Sequence, residues 1–221
     1  AGGGIAAYNS DVFIENVIMS SNSTNHNGGG GLYAFGSNSI IKNSVFSDNS
    51  APVNGGGLFL ANSDITIENV LMSKNYSGHY GGAISISNAD VTIISSTIVN
   101  NSTATYGGAI TSVSSTGVNI NILNSILWNN APQEIYYRHD YQPTNATFIS
   151  YSDVEGGVGA IVTNNNGTAA WLTGSIDADP LFVDEASEDY HLTAASPCKD
   201  TGDPESAYDP DGTRANMGVF D

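Results

Sequence analysis

The sequence predicts an all-β protein, a right-handed parallel β-helix with about 26 residues per coil and an irregular C-terminal capping segment. Three observations predict this class. Similar residues recur at a nearly fixed spacing, apolar and polar residues alternate within each copy, and the helix formers Lys, Arg, Gln and Glu are scarce. Strands this short cannot bury themselves alone, so each copy must be covered by the next.

The repeat is visible in two sets of residues that keep one register. The first apolar residue after each glycine cluster recurs at spacings of 27, 26, 26 and 26, at Ile5, Leu32, Leu58, Ile84 and Ile110. An asparagine recurs at spacings of 27, 26, 26 and 29, at Asn22, Asn49, Asn75, Asn101 and Asn130. We expect the glycines to mark corners with positive φ or close backbone approach, and the asparagines to pass hydrogen bonds from coil to coil.

Alternation within the copies separates an inner face from an outer face. It directs Ile65, Ile67, Val91 and Ile93 into the core. The outward residues are Ala6, Tyr33, Phe59, Ser85 and Thr111 on the first strand and Phe13, Ile40, Thr66, Thr92 and Asn121 on the second.

Large apolar residues gather on the outer face of the first three coils, where they form a predicted contact surface. They are Phe13, Tyr33, Ile40 and Phe59. Because an exposed apolar patch usually marks contact with something, we expect a glycan, a partner chain, or further N-terminal coils with their loops.

Composition excludes several classes of partner. The chain carries 22 acidic and 5 basic residues, a net charge of -17, which disfavours nucleic acid and anionic membranes. No run of 18 apolar residues is present, so membrane insertion is not expected. Cys198 is the only cysteine, which excludes an internal disulfide. Aligning the copies predicts cross-strand ion pairs in two columns. Lys42 lies between Glu15 and Glu68 in one column, and Asp48 lies next to Lys74 in the other.

One elongated domain is expected. Residues 1–175 form the coils, regular to about residue 135 and irregular after it, and residues 176–221 form a closing segment that caps the open end. The chain opens inside a repeat, so we expect it to belong to a longer protein. Uncapped ends of a β-helix expose strand edges, which makes end-to-end self-association a further expectation.

The segment "APQEIYYRHDYQPTNATF" breaks the period and is rich in aromatic residues. It predicts a longer coil with a protruding loop, and loops on a rigid scaffold often carry binding residues. The predicted ligand-binding residues are Tyr136, Tyr137, Arg138 and Tyr141, with a glycan as the expected ligand. Alternatively, these tyrosines cover the lower end of the stack.

Two groups of aspartates are candidate calcium sites. The loop "DTGDPESAYDPDGT" offers Asp200, Asp203, Asp209 and Asp211, or else it is held by pairing between an aspartate and Arg214. A column of turn residues contains Asp11, Asn38, Asp64 and Asp90, in which calcium would bridge Asp64 and Asp90 unless these are simply exposed turn residues. No other cofactor is expected.

Two motifs carry a resemblance to known proteins. "GGAI" at Gly81 and "F-x-x-N" from Phe46 to Asn49 resemble the repeats of right-handed β-helix surface proteins, including polymorphic outer-membrane proteins. The stretches "IDADPLFVD", "DYHLTAASPCKDTGDP" and "DPDGTRANMGVFD" resemble the closing segment of secreted bacterial β-helix proteins. The resemblance implies the fold and an extracellular or cell-surface location.

The sequence favours a non-catalytic structural or adhesive module of a larger secreted bacterial protein over an enzyme. It contains no adjacent Asp-Asp, no Gly-His-Gly and no Arg-x-Lys, the patterns a polysaccharide hydrolase or lyase site would need. The alternatives are a polysaccharide-binding or polysaccharide-degrading β-helix and a subunit of a self-assembling filament. The expected partners are a glycan or a host or cell-surface protein.

Overall fold

The computed structural model describes residues 2–138 and 144–220, and it confirms the prediction of a parallel β-helix. In these residues the only helical turns are two short 3₁₀ segments, Gly157–Ala160 and Glu185–Ser187. No helix in the described part of the chain is long and apolar enough to cross a membrane.

Short strands account for the rest of the regular structure. The first twelve are β1 Ile5–Tyr8, β2 Val12–Glu15, β3 Ile18–Ser20, β4 Leu32–Phe35, β5 Ser39–Ser47, β6 Ser50–Ala51, β7 Leu58–Ala61, β8 Ile65–Ser73, β9 Tyr76–Ser77, β10 Ile84–Ser87, β11 Val91–Ile94 and β12 Thr97–Val99. The others are β13 Ser102–Thr103, β14 Ile110–Ser112, β15 Asn119–Leu123, β16 Ile126–Trp128, β17 Ile135–Tyr137, β18 Asn145–Ser150, β19 Asp153–Val154, β20 Ile161–Val162, β21 Gly167–Trp171, β22 Phe182–Asp184 and β23 Asp189–Leu192.

Each coil contributes strands to three faces. The A face is the seven-stranded sheet β1-β4-β7-β10-β14-β17-β20. The B1 face is formed by β2, residues 39–42 of β5, residues 65–68 of β8, and β11, β15, β18 and β21. The B2 face is formed by β3, residues 44–47 of β5, residues 70–73 of β8, and β12, β16 and β19. Pairing is parallel throughout these faces, and the predicted register from Ile5 to Ile110 is confirmed.

Corners between the faces use the residues that the repeat keeps. Asn69, between the B1 and B2 parts of β8, has a φ of 56°, a left-handed conformation that asparagine tolerates. At the corner before the A face, Gly55 has a φ of 53°. A Cβ on the next residue, Gly56, would lie 2.5 Å from the carbonyl oxygen of Gly82 and 2.5 Å from the amide nitrogen of Tyr76. The predicted roles of the glycines are thereby confirmed.

One continuous core runs through the coils. The predicted inward residues Ile65, Ile67, Val91 and Ile93 all belong to it and are at most 3% exposed. Two outward residues of the A face differ from a simple alternation, because Ser85 and Thr111 are fully buried. The Thr111 hydroxyl donates to the carbonyl oxygen of Tyr106, so the turn before the strand folds over this part of the A face.

Residues 178–220, here the C-terminal segment, lie along the B2 face. Outward apolar residues of that face, Leu71 and Val99, pack with Tyr190 of the segment. Near its end, Val219 donates its amide to the Thr97 hydroxyl at 3.1 Å. These contacts lie on the side of the stack, and the prediction that residues 176–221 cap its open end stays a prediction. The segment lies on this side because the B2 strands are apolar on both surfaces and need a cover.

Candidate functional site

The repeated asparagines form a buried ladder through the stack, as predicted. Asn75 donates its backbone amide and its side-chain amide to Oδ1 of Asn101, both at 2.9 Å. The same pair of bonds joins each earlier asparagine of the set to the next. Asn75 also donates to the carbonyl oxygen of Phe46 in the coil before it, at 2.8 Å. Asn49, Asn75 and Asn101 therefore each connect three successive coils.

The ladder ends at a carboxyl group. Asn130 donates its backbone amide to Oε1 of Glu134 at 3.0 Å and its side-chain amide to Oε2 at 2.8 Å. Glu134 is 2% exposed. Burial raises the pKa of Glu134 to about 8, although the hydrogen bonds from Asn130 oppose part of that rise and the charge of Glu155 adds to it. A cavity of about 380 Å³ lies beside the pair.

Aromatic side chains form two rows. The upper aromatic row lies on the A face and consists of Tyr8, Tyr33 and Phe59, and the lower aromatic row lies along β17 and the turns before the A face and consists of Tyr80, Tyr106 and Tyr136. Tyr33 lies between Tyr8 and Phe59, with ring centroids 5.3 and 5.4 Å away. In later coils Tyr106 stacks on Tyr80 at 6.1 Å and on Tyr136 at 4.4 Å. The upper row is more open than the lower one, since Tyr8 is 51% exposed and Tyr136 is 7% exposed.

The four predicted ligand-binding residues occupy different environments. Tyr137 is fully buried, and its hydroxyl is hydrogen-bonded to Thr147 in the core, where burial raises its pKa to about 12. Tyr136 belongs to the lower aromatic row, and the Arg138 guanidinium lies 5.3 Å from the centre of the Tyr80 ring. Tyr141 lies outside the described residues. Tyr136 and Arg138 thus share one side of the A face, while Tyr137 points away from it.

The B1 face carries the other two predicted contact residues. Phe13 is 62% exposed and pairs with Ile40, which is 41% exposed. Thr66 and Thr92 continue the column in the next two coils. These side chains line a groove of about 440 Å³ along the stack axis, here the B1 groove.

Turn residues border the B1 groove as a second ladder. Asp11, Asn38, Asp64 and Asp90 each accept, through Oδ1, the backbone amide of the equivalent residue one coil later, at 2.7 to 3.2 Å. All four are exposed. They share the task of accepting one backbone hydrogen bond, which Asn38 does as an uncharged residue, and Asp90 also accepts the Asn119 side-chain amide through Oδ2 at 3.1 Å.

The aspartates of the C-terminal loop stabilise its turns. Asp203 accepts the amide of Glu205, Asp211 accepts the amide of Thr213, and Asp209 accepts the amide of Asn216. Asp200 instead donates its own amide to Asn216. Within residues 2–138 and 144–220, no three His, Cys, Asp or Glu side chains converge as a metal site would require. Of the four residues proposed for calcium, Asp209 and Asp211 share one turn, while Asp200 and Asp203 precede it in the chain.

Ion pairs follow one predicted column and depart from the other. Lys42 pairs with Glu68 at 2.6 Å, as the column predicts. Lys74 instead pairs with Glu188 of the C-terminal segment. The hydrogen bond from Glu188 raises the pKa of Lys74 more than the charge of Asp48 does. The sequence could not indicate this partner, because the repeat alignment contains only neighbouring coils.

A buried pair that sequence reasoning missed attaches the C-terminal segment to the stack. Cys198 donates its thiol to Oδ2 of Asp153 at 3.1 Å, and Ala178 donates its amide to Oδ1 at 3.1 Å. Both side chains of the pair are fully buried. Burial raises the pKa of Asp153 to about 6 and that of Cys198 well above its ordinary value. The sequence signal was a solitary cysteine inside an otherwise polar loop.

These features define a class of protein, a parallel β-helix module whose coils are joined by side-chain ladders and whose outer faces differ. A family model of right-handed β-helix regions matches residues 1–177, and the chain belongs to that family. Searches of curated proteins and of solved structures found no match. The matched residues end where the C-terminal segment begins.

Proposed function

We propose that the chain is a non-catalytic structural and adhesive module of a larger secreted or cell-surface bacterial protein. The asparagine ladder carries the proposal. It joins successive coils through buried hydrogen bonds, and a stack joined in this way holds the surfaces of its coils in fixed relative positions. A rigid scaffold of that kind suits a spacer or an adhesive stalk.

Two measurements test this proposal. Antibodies raised against the chain should label intact source cells or their medium, and labelling only after lysis would contradict the location. The protein should release neither reducing ends nor unsaturated sugars from a panel of neutral and acidic polysaccharides. Turnover that disappears in the Glu134→Gln variant would make the chain an enzyme.

Glycan binding is a second candidate function, favoured by the upper aromatic row. The rings of Tyr8, Tyr33 and Phe59 lie side by side across three coils and remain accessible. Flat apolar rings suit the C–H faces of sugars, and the net charge of -17 favours a neutral glycan over an acidic one.

A neutral glycan array followed by titration tests this candidate. Tyr33→Ala and Phe59→Ala should each weaken binding of any captured glycan. Tyr208→Ala is the matched control, because Tyr208 is 72% exposed and lies in the C-terminal segment. Equal binding by all three variants would exclude the upper aromatic row as the site.

A further inference from the structure

The C-terminal segment covers the middle of the B2 face and leaves Ile18, in the first coil of that face, 75% exposed. On B2, the outward residues Leu71 and Val99 are at most 8% exposed because the C-terminal segment packs on them. On B1, Phe13 is 62% exposed and Ile40 is 41% exposed, and both line the B1 groove. Exposed apolar side chains that line a groove are typical of a contact surface.

The acids beside the B1 groove exceed what the fold needs. Asp64 accepts the amide of Asp90 at 2.9 Å, while Asn38 accepts the amide of Asp64 at 3.2 Å with a neutral amide oxygen. An acceptor is required at this turn, but a charge is not. Nevertheless, Asp64 and Asp90 place two negative charges one coil apart, about 4.8 Å by strand spacing, where like charges repel.

Nothing basic on the B1 strands offsets these charges in the described structure. Lys42 is the only cation on those strands, and it pairs with Glu68. The border of the groove therefore presents Asp11, Asp64 and Asp90 to solvent, next to an apolar floor.

We propose that the B1 groove is a docking site for a basic polypeptide segment of another protein. Apolar side chains of that segment contact Phe13 and Ile40, and its cations pair with the aspartates. Charge complementarity identifies the occupant, since cations one coil apart would relieve the repulsion along the aspartate column. This inference rests on the proposed adhesive function and names the chemistry of its partner.

Fluorescence anisotropy with labelled synthetic peptides tests the inference on the full chain. The probe is a repeated Lys-Leu peptide, with repeated Lys-Ser and Glu-Leu peptides as controls. The Lys-Leu peptide should bind about tenfold or more tightly than either control, and its binding should weaken as salt is added. The Asp64→Asn, Asp90→Asn double variant should weaken it about three- to thirtyfold.

The variants keep the fold, so that loss of binding has one meaning. Asparagine preserves the Oδ1 acceptor, as Asn38 demonstrates, and only the exposed bond from the Asn119 side chain to Oδ2 of Asp90 is lost. Phe13→Ser changes an exposed residue and should also weaken binding. Asp179→Asn with Glu205→Gln is the matched control, because it removes two exposed charges from the C-terminal segment. The thermal unfolding midpoint of each variant shows whether the β-helix is still folded.

Three outcomes would overturn the inference. They are the absence of Lys-Leu binding, equal weakening by the control pair, which would indicate bulk electrostatics, and competition by a neutral glycan that removes the peptide. Any of these, with unchanged melting, leaves the proposed structural function standing. If peptide binding persists but intact cells are not labelled, the proposed location is contradicted and the docking inference is not.

Discussion

Asn130 donates two hydrogen bonds to the two carboxyl oxygens of Glu134, at the position where every earlier ladder asparagine meets another asparagine. The glutamate supplies two acceptor oxygens to two donors that the next coil does not satisfy. Its carboxyl group thus completes the ladder, and it does so from within the same turn, four residues along the chain.

The first prediction concerns the middle of the ladder. Asn75→Ala removes the oxygen that accepts two bonds from Asn49, leaving two buried donors unpaired. The free energy of unfolding should fall by about 2–6 kcal/mol in denaturant titrations. The control Asn62→Gly changes an exposed asparagine with a φ of 50° and should cost less than about 0.5 kcal/mol. Similar losses in both variants would contradict a special role for the ladder.

The second prediction is a pH dependence from Glu134. Its pKa is raised from 4.5 to about 8 in the folded state, so between these values the folded state holds a proton that the unfolded state releases. Its contribution to stability is full below pH 4.5 and is lost as pH rises through about 8, at up to about 1.4 kcal/mol per pH unit. Glu134→Gln should flatten the profile between pH 6 and 8, and an unchanged slope there would contradict the assignment.

A companion prediction concerns Asp153, whose pKa is raised from 3.8 to about 6. Because the folded-state pKa of Asp153 is also raised, its contribution to stability is full below pH 3.8 and is lost as pH rises through about 6. Asp153→Asn keeps an oxygen for the amide of Ala178 and removes the titration. The variant should flatten the profile between pH 3.8 and about 6 and leave the range from 6 to 8 unchanged, whereas Glu134→Gln should also flatten the range from 6 to 8. Identical profiles for the two variants would refute both assignments.

The fourth prediction uses Cys198 as a reporter of the C-terminal segment. The thiol is fully buried and its pKa is raised, so an alkylating reagent should modify it only when the segment detaches. Tyr190→Ala removes a ring that packs against Leu71 and Val99, which should speed labelling about a hundredfold. Tyr208→Ala, at an exposed site, should leave the labelling rate unchanged, and equal rates for the two variants would place the opening elsewhere.

The fifth prediction compares two glycines. Gly56→Ala would place a Cβ 2.5 Å from backbone atoms of Gly82 and Tyr76, so the coils must shift apart at a cost of about 2 kcal/mol or more. Gly159→Ala meets no atom within 4 Å and should be nearly neutral. Thermal unfolding distinguishes them, and a neutral Gly56→Ala would show that this corner has room.

Sequence reasoning recovered the features that the repeat imposes on every coil. Stacking places Ile65 next to Val91 and Asn75 next to Asn101, so spacing alone predicts both the core and the ladder. Glu134 was beyond this reasoning because the regular spacing ends at Ile110, although its pairing places Glu134 in the column of Ala83 and Ala109. Its signal was that Asn130 had no asparagine after it to accept its bonds.

The cover on the B2 face was missed for a different reason. The runs containing Leu71 and Trp128 do not alternate, a pattern typical of strands with two apolar surfaces, and the sequence analysis did not use it. Spacing cannot tell which distant part of a chain supplies the cover. The three-dimensional structure identifies it through Tyr190 and Phe220.

The Glu134 carboxyl group also has a consequence for how such a chain can change in length. Every rung before it passes its bonds to an identical rung, so duplication of one whole coil upstream, for example residues 56–81, would add a spacer unit that its neighbours accept without other changes. A coil added after Glu134 would meet an acidic residue in place of an amide. The glutamate therefore ends the run of interchangeable coils, and the number of coils before it sets the length of the repetitive part of the stack.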